Sequence, residues 1–444
     1  MAKDQIQVAI VGGGIAGLAL AAGLVKKQHI DVHVYESVPI YKDVGAGLAL
    51  HLNAIKAMTL IGPEIRQAYF EKALTMGDED QEMVTEVILG QGPHKGKLVA
   101  ELGRAKGRKT VSRADLLDGF LELIPKDKIS FGKKLVDIKE QVSGKPNVHL
   151  TFQDGTEVEA DCLLGADGIH SVTRSFLLGA DHPAAPPQNH DGWRIYRTMV
   201  PTAEARKQIN PKWTTHVPIL LGPRGHINCI PLNKNTRLSA GVAVRGAVFS
   251  PTGAAGAAAA QDGSAPPLDP ALYEDYSEDA QRIVRMVAAD TSASWTAADH
   301  DHAPYYARGR VAMFGDAAHA SMPFAGNGAA QALEDAAVLD RLFSRVRGAG
   351  NGAQQIEHAL LAFDRVRRPR SQAVVDLARK FGRVYAYAED GMHEDPERMK
   401  RFFGEMAAFT NEFDVKGQNE AALKVFEELE LEREMEMEMG DGDG

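Results

Sequence analysis

The stretch "QIQVAIVGGGIAGLALAAGLVKKQHIDVHVYE" constrains this 444-residue chain more than any other, because few folds accommodate it. An apolar strand-length run stops at a glycine cluster, small and apolar residues follow at helical spacing, and a second alternating run ends at Glu36. Strand, tight turn, helix and strand read together as one βαβ unit. Gly12, Gly14 and Gly17 stand in G-x-G-x-x-G spacing at the turn. The first glycine permits the tight turn, the second lets a pyrophosphate approach the backbone, and the third lets helix and strand pack closely. The helix amino terminus favours negative charge, and Glu36, about twenty residues on, can accept hydrogen bonds from the hydroxyls of an adenosine ribose. The pattern implies dinucleotide binding; by itself it does not separate NAD, NADP and FAD. The same stretch imitates a signal peptide or membrane span, but glycines interrupt it and its helical part is too short to cross a bilayer.

The length exceeds that of an ordinary single domain, so two domains or one large composite domain are expected. "SRADLLDGFLELI" sets Asp115 three residues after Ser112, an acidic variant of a helix-capping pair. "NVHLTFQDGTEVEADCLLGADG" reads as a hairpin turning at Asp154-Gly155 whose second arm runs into a buried strand. From about Trp193 to Val244, the short runs "WRIYRTMV", "HVPILLG", "HINCIPL" and "LSAGVAV" suggest an antiparallel sheet in a second layer or domain. "SPTGAAGAAAAQDGSAPPLDP" reads as an exposed, mobile loop, after which "GRVAMFGD" returns to a buried-strand pattern and feeds a long helical remainder. The βαβ domain is therefore expected to be discontinuous, and the terminal "LELEREMEMEMGDGDG" to be an acidic, fraying helix end.

Fifty Lys and Arg against sixty Asp and Glu leave a formal net charge of -10. That balance argues against nucleic acid or an anionic membrane surface, which need clustered cations, and favours a small organic partner. The two cysteines, Cys162 and Cys229, sit in no paired motif, so neither a disulfide framework nor a cysteine zinc site is expected, and a reducing, cytoplasmic location fits. Asp316 and His319 in "GDAAH" invite an acid–histidine catalytic pair. No nucleophile elbow accompanies them, and no two-histidine plus carboxylate spacing supports a metal there or at His300-Asp301-His302. The expectation is no metal, with His319 a structural hydrogen-bonder.

Two further segments narrow the cofactor. "DCLLGADGIHSVTRSFL" and "GRVAMFGDAAHASMPFAGNGAAQALEDA" match, in order and context, the second and third fingerprints of the class A FAD-dependent aromatic monooxygenases. The chain resembles that family over most of its length, and "GDAAHASMPFAGNGAAQALEDAAVL" is most similar to salicylate hydroxylases and their fungal relatives. No second G-x-G-x-x-G follows a strand, which also resembles the family, whose nicotinamide cofactor has no Rossmann domain of its own. The resemblance implies an α/β fold: a discontinuous Rossmann-like FAD-binding domain, an antiparallel-sheet substrate domain and C-terminal helices. The expected divisions are 1–80 and 98–176 for the first parts of the FAD domain and 177–300 for the substrate domain, with 81–97 a candidate addition to it. Residues 301–345 complete the FAD domain, and 346–444 form the helical region.

The same resemblance carries roles to matching residues. Asp316 resembles the carboxylate that hydrogen-bonds the ribityl chain of FAD, and the helix after "FAGNGAAQ" would aim amides near Gly328 and Ala329 at the pyrimidine edge of the flavin. Arg113 matches an FAD-contacting arginine, "GAGLAL" with Gly47 and Ala49 resembles the loop beside the cofactor, and Asp167 resembles the acid of a dual FAD and nicotinamide motif, with turn capping as its alternative. Arg194 and Arg197, three apart in a strand, face opposite sides, and Arg197 resembles an arginine that holds a substrate phenolate or carboxylate. Relatives often carry tyrosine where Ile230 precedes Pro231; His226 or Tyr196 is a candidate to compensate.

The implied activity uses bound FAD, NADH or NADPH, and O₂ to hydroxylate a small aromatic phenol through a flavin hydroperoxide. With a salicylate, attack at the carboxyl-bearing carbon would release CO₂ and leave a catechol. A tailoring hydroxylase or epoxidase for a larger aromatic or terpenoid is the alternative, followed by a non-catalytic flavin redox module and a plain NAD dehydrogenase. A monomer or homodimer without an integral membrane segment is expected.

Overall fold

The computed structural model describes residues 5–41, 47–77, 79–141, 147–246, 266–290, 293–347 and 352–440. The chain opens with β1 (Ile6–Val11), α1 (Ile15–Leu24) and β2 (Ile30–Tyr35), followed by α2 (Leu52–Ile61), β3 (Glu82–Leu89), β4 (Leu98–Lys106) and α3 (Arg113–Leu121). Next come β5 (Cys162–Gly165), α4 (Val172–Leu178), β6 (Arg194–Pro201), β7 (Val217–Gly222), β8 (Gly225–Leu232), β9 (Arg237–Val244), β10 (Ala293–Thr296) and β11 (Val311–Met313). The remainder is helical: α5 (Asp316–His319), α6 (Gly328–Phe343), α7 (Gly352–Tyr385), α8 (Pro396–Asn411) and α9 (Val415–Gly440).

Strands β11, β5, β1 and β2 lie side by side in parallel, the βαβ arrangement expected of the opening sequence. The largely apolar runs of β1, β5 and β11 follow from burial on both faces, whereas β2 alternates, with Asp31 and His33 partly exposed; α1 is almost wholly buried and packed against α6. The third and fourth strands come from residues 162–165 and 311–313, so the sheet is assembled from distant parts of the chain. The capping pair of α3 forms as expected, the Ser112 hydroxyl accepting from the Asp115 amide at 2.9 Å. The Asp154-Gly155 hairpin joins Asn147–Phe152 to Glu157–Ala160 with Gly155 at φ +81°, before the chain enters β5.

A second sheet runs in the order β10-β6-β9-β8-β7-β3-β4. Its pairs are antiparallel except β7 with β3, a parallel contact that strand patterning did not announce. Strand β4, expected with the first sheet, hydrogen-bonds instead to β3 in the second. The two arms form a local hairpin whose alternating pattern does not specify which sheet it joins. One face of this sheet, carrying Tyr196, Ile227, Cys229 and Val242, packs on the helix Glu278–Ala288. The other carries Trp193, Ile195, Leu221 and Ala243 beneath the second half of α7. The first half of α7 belongs to the core of the parallel sheet, so one 34-residue helix fastens the two sheets together. The Ala/Gly-rich stretch falls largely at 250–265, and it lies outside the described residues, as do Gly45, Ala46 and the last four residues.

Candidate active site

The carboxyl ends of β1, β5 and β11 are in register, Val11 beside Gly165 and Gly165 beside Met313, which brings the three sequence fingerprints to one edge of the parallel sheet. Open parallel sheets bind ligands at this edge. Gly12 has φ +108°, and a Cβ there would stand 2.1 Å from the Ala166 carbonyl oxygen; one at Gly17 would stand 2.0 Å from that of Gly12. Both glycines are required by internal packing. Gly14 differs: the nearest atom to its hypothetical Cβ is Nη2 of Arg113 at 3.8 Å, so its bare backbone faces space beside a cation at the amino terminus of α1. These groups fit a pyrophosphate.

Gly315, at φ +59°, wedges the turn carrying Asp316 between α1 and α6, since a Cβ there would lie 2.9 Å from Ala16 and 3.8 Å from Ala332. Asp316 is exposed although its neighbours on both sides are buried, and its carboxylate has no partner among the described residues. Helix α6 starts at Gly328 and Ala329 with no side chain capping its amino terminus. An acceptor without an internal task and a row of open amides therefore stand on adjoining turns, which fits a polyhydroxylated cofactor.

The remaining predicted groups are more occupied. Glu36 is buried at the end of β2, where it accepts from the Gly13 amide at 2.6 Å, the Val38 amide at 2.8 Å and the Ser37 hydroxyl at 3.0 Å. Asp167 accepts from Ser171 Oγ at 2.5 Å and from the Thr173 amide and hydroxyl at 3.0 and 3.2 Å, so its carboxylate caps the start of α4. Burial raises the Asp167 pKa against the pull of these bonds. Helix α4 presents the fully buried Arg174, which donates to the carbonyls of Ala317 and Ala318 at 3.1 and 2.7 Å and braces the carboxyl end of α5. The second fingerprint thus supports the third from beneath. Gly47 abuts Leu232 at the end of β8, and Leu48, the residue before Ala49, is bridged to Val111, two positions before Arg113 in sequence.

His319 is buried and bonds through Nε2 to Oδ2 of Asp335 at 2.6 Å. The same oxygen accepts the Gly315 amide at 2.8 Å, and Oδ1 accepts Nε of Arg367 at 2.6 Å. Burial alone would raise the Asp335 pKa, but His319 and Arg367 outweigh it and hold the acid at about 2. Arg367, fully buried, also donates to Glu334 at 2.7 Å, to Gln418 on α9 at 2.8 Å and to the Gln331 side chain at 2.8 Å. Sequence reasoning passed over Glu334, Asp335 and Arg367. Their signal was the charged pair in "ALEDA" and the basic run "RVRRPR", inside segments otherwise buried or helical.

On the second sheet, Arg194 reaches Thr296 at 3.3 Å, while Arg197 points to the α7 side, its guanidinium 5.9 Å from the Trp295 ring centroid. Arg197 Nε is buried without a partner, and burial lowers the pKa of the group. His226 lies on the same face between Phe324, at 5.3 Å, and Tyr385, at 4.9 Å. Burial, assisted by the Arg197 charge, pushes its pKa down to about 3, so it is neutral near pH 7. Tyr196 turns to the opposite face and donates to the Pro266 carbonyl at 2.7 Å, which removes it from this surface. Ile230 shares the face with His226 as an apolar neighbour.

Comparison with known proteins identifies the family. Residues 5–378 match the family described as FAD binding domain. The chain is 34% identical over 438 residues to a 6-methylsalicylate 1-monooxygenase of Aspergillus terreus (strain NIH 2624 / FGSC A1156), covering 96% of this chain and 94% of that protein. It is 32% identical to a salicylate hydroxylase of Pseudomonas putida, covering 86% and 87%. A solved salicylate hydroxylase substrate complex superposes with a TM-score of 0.78 at 28% identity, covering 95% of this chain and 98% of the other.

Proposed function

We propose, for a chain that belongs to the FAD binding domain family, that its substrate is an ortho-hydroxy aromatic acid held through its carboxylate by Arg197. The protein is an FAD-dependent aromatic monooxygenase with NADH or NADPH and O₂ as co-substrates. The observation that carries the substrate reading is Arg197 itself: a half-buried guanidinium with an unsatisfied Nε on a largely apolar face. A buried cation of this kind gains most from a carboxylate ligand, which meets its planar fork with two charge-assisted hydrogen bonds. That its relatives include enzymes named for salicylate and 6-methylsalicylate supports the same class.

For the cofactor, Gly14, the amino terminus of α1 and Arg113 would take the pyrophosphate, Glu36 the adenosine ribose, Asp316 the ribityl hydroxyls, and the amides of Gly328 and Ala329 the flavin pyrimidine edge. Gly47 and Ala49 would line the flavin from their loop, and Asp167 would act through α4 and Arg174. FAD, when bound, supplies the two-electron chemistry that activates O₂ for insertion into an electron-rich ring. The chain's own task is to hold and shield the ring. Arg197 fixes the acid, His226 as a neutral imidazole offers a hydrogen bond to the phenol, and Trp193, Phe324 and Tyr385 keep water from the ring. Insertion at the carboxyl-bearing carbon would expel CO₂.

Ile230 on this face favours a second reading, a wider apolar pocket for a larger aromatic in secondary metabolism. Salicylate and bulkier phenolic acids, compared for NAD(P)H oxidation coupled to product, decide between them. A product containing one added oxygen from salicylate is expected; uncoupled peroxide formation with salicylate and coupled turnover of the larger acid would overturn the salicylate assignment.

A further inference from the structure

We propose that Asn228 is the second arm of a carboxylate clamp whose first arm is Arg197, and that Gly241 is bare because the ligand's acid group occupies the gap between them. The inference rests on the substrate reading above and names residues that the sequence did not single out. Arg197 on β6 pairs with Gly241 on β9, and Gly241 pairs with Asn228 on β8. Cross-strand partners share a face, so the three stand in one row with the glycine in the middle. A Cβ at Gly241 would lie 3.0 Å from Asn228 Oδ1 and 3.7 Å from Arg197 Nε, so both polar ends reach over the same small space. Neither side chain has a hydrogen-bond partner among the described residues, and Arg197 Nε is buried as well as unsatisfied.

The surroundings argue that this space is for a ligand. The row continues into Ile219 and Val87, and the flanking rows contribute Leu221, Ala243 and Ile195 on one side and Val217, Ile230 and Met199 on the other. His226, Ser239 and Thr85, which pairs with Val217 and accepts from Arg108 at 3.2 Å, are the polar exceptions. Polar groups converging without internal partners on an apolar face are the usual form of a small-molecule site. A carboxylate would complete it: the guanidinium supplies charge and two donors, and the amide, rotated to present its NH₂, supplies a neutral donor that leaves the arginine charge to the ligand. Aspartate at 228 would consume that charge, and a side chain at 241 would fill the gap.

The test is a titration of the oxidised, flavin-loaded protein without NAD(P)H, following the absorbance change of the bound flavin with salicylate and with phenol as probes. The wild type is expected to bind salicylate more tightly than phenol. Asn228→Asp is expected to weaken salicylate about 10-fold or more while leaving phenol within about threefold, because only the acid meets the new charge. Asn228→Leu, which removes the donor without adding charge, is expected to lose a smaller part of the same selectivity, and Gly241→Ala is expected to weaken salicylate as well. Salicylate affinity unchanged in Asn228→Asp, or salicylate and phenol lost equally, would overturn the clamp while leaving the enzyme class intact. A wild type that binds neither salicylate nor any other aromatic acid would overturn the substrate reading and the clamp with it.

Discussion

Arg197 and Asp316 carry the account at the scale of single residues, and each yields its own measurement. Arg197→Ala is expected to raise the dissociation constant for an aromatic acid by roughly 10- to 100-fold, as for a lost hydrogen bond to a charged group, and to increase NAD(P)H consumed per product formed. Unchanged affinity and coupling would remove Arg197 from the site. Asp316→Ala is expected to weaken FAD by about 10-fold or more with little loss of apoprotein stability, since its carboxylate has no partner within the described chain; flavin fluorescence titration reads the first and thermal unfolding the second. His226 adds a pH signature. Its folded pKa is near 3 and the usual unfolded value is about 6.5. The unfolded state therefore binds more protons between these values, and stability falls as pH drops through that window. His226→Phe is expected to flatten this part of the unfolding profile. Asp316 and the glycines were readable because they stand in short, spaced motifs. Glu36 and Asp167 were readable only as positions: their bonds to Gly13 and to Ser171 and Thr173 depend on how the turns close.

Among elements, the junction of β11, α5 and α6 holds the arrangement together. Asp335 ties the Gly315 amide, His319 and Arg367 to one carboxylate, and Arg174 fastens the far end of α5. Removing one partner from a buried ion pair leaves an uncompensated charge, so Asp335→Asn is expected to cost about 3–5 kcal/mol in denaturant unfolding. Because its folded pKa is depressed, Asp335 contributes stability above the unfolded carboxylate value and loses it as pH falls toward about 2. The variant should therefore lose part of the wild-type acid transition between about pH 4 and 2, the lower bound being the folded pKa. Little of this was legible beforehand. Asp335 and Arg367 are separated by 32 positions and meet only after α6 and α7 pack, and no local pattern records such a contact. The same limit explains β4, whose pattern identifies a strand without identifying its sheet. The βαβ unit, the α3 cap and the hairpin at Asp154-Gly155 were legible because each is specified by neighbours in sequence.

Across the whole molecule, the edge of the parallel sheet offers the groups proposed for FAD, and the second sheet turns toward α7 the face proposed for the aromatic ring. Phe324 belongs to both regions, lying just before α6 and against Trp193 and His226 on the second sheet. Binding FAD to the folded state alone is expected to raise the unfolding temperature of the apoprotein in a concentration-dependent way. Among the described residues, no helix is long and apolar enough to cross a membrane. The most direct test of the central claim is a panel of aromatic acids and phenols offered to the flavin-loaded enzyme with NADH or NADPH, scored by both cofactor oxidation and product mass. Ortho-hydroxy aromatic acids are expected to stimulate oxidation and to yield a product with one added oxygen, with or without loss of the carboxyl group. Failure of every aromatic acid to stimulate oxidation, or oxidation that ends only in hydrogen peroxide, would contradict that claim.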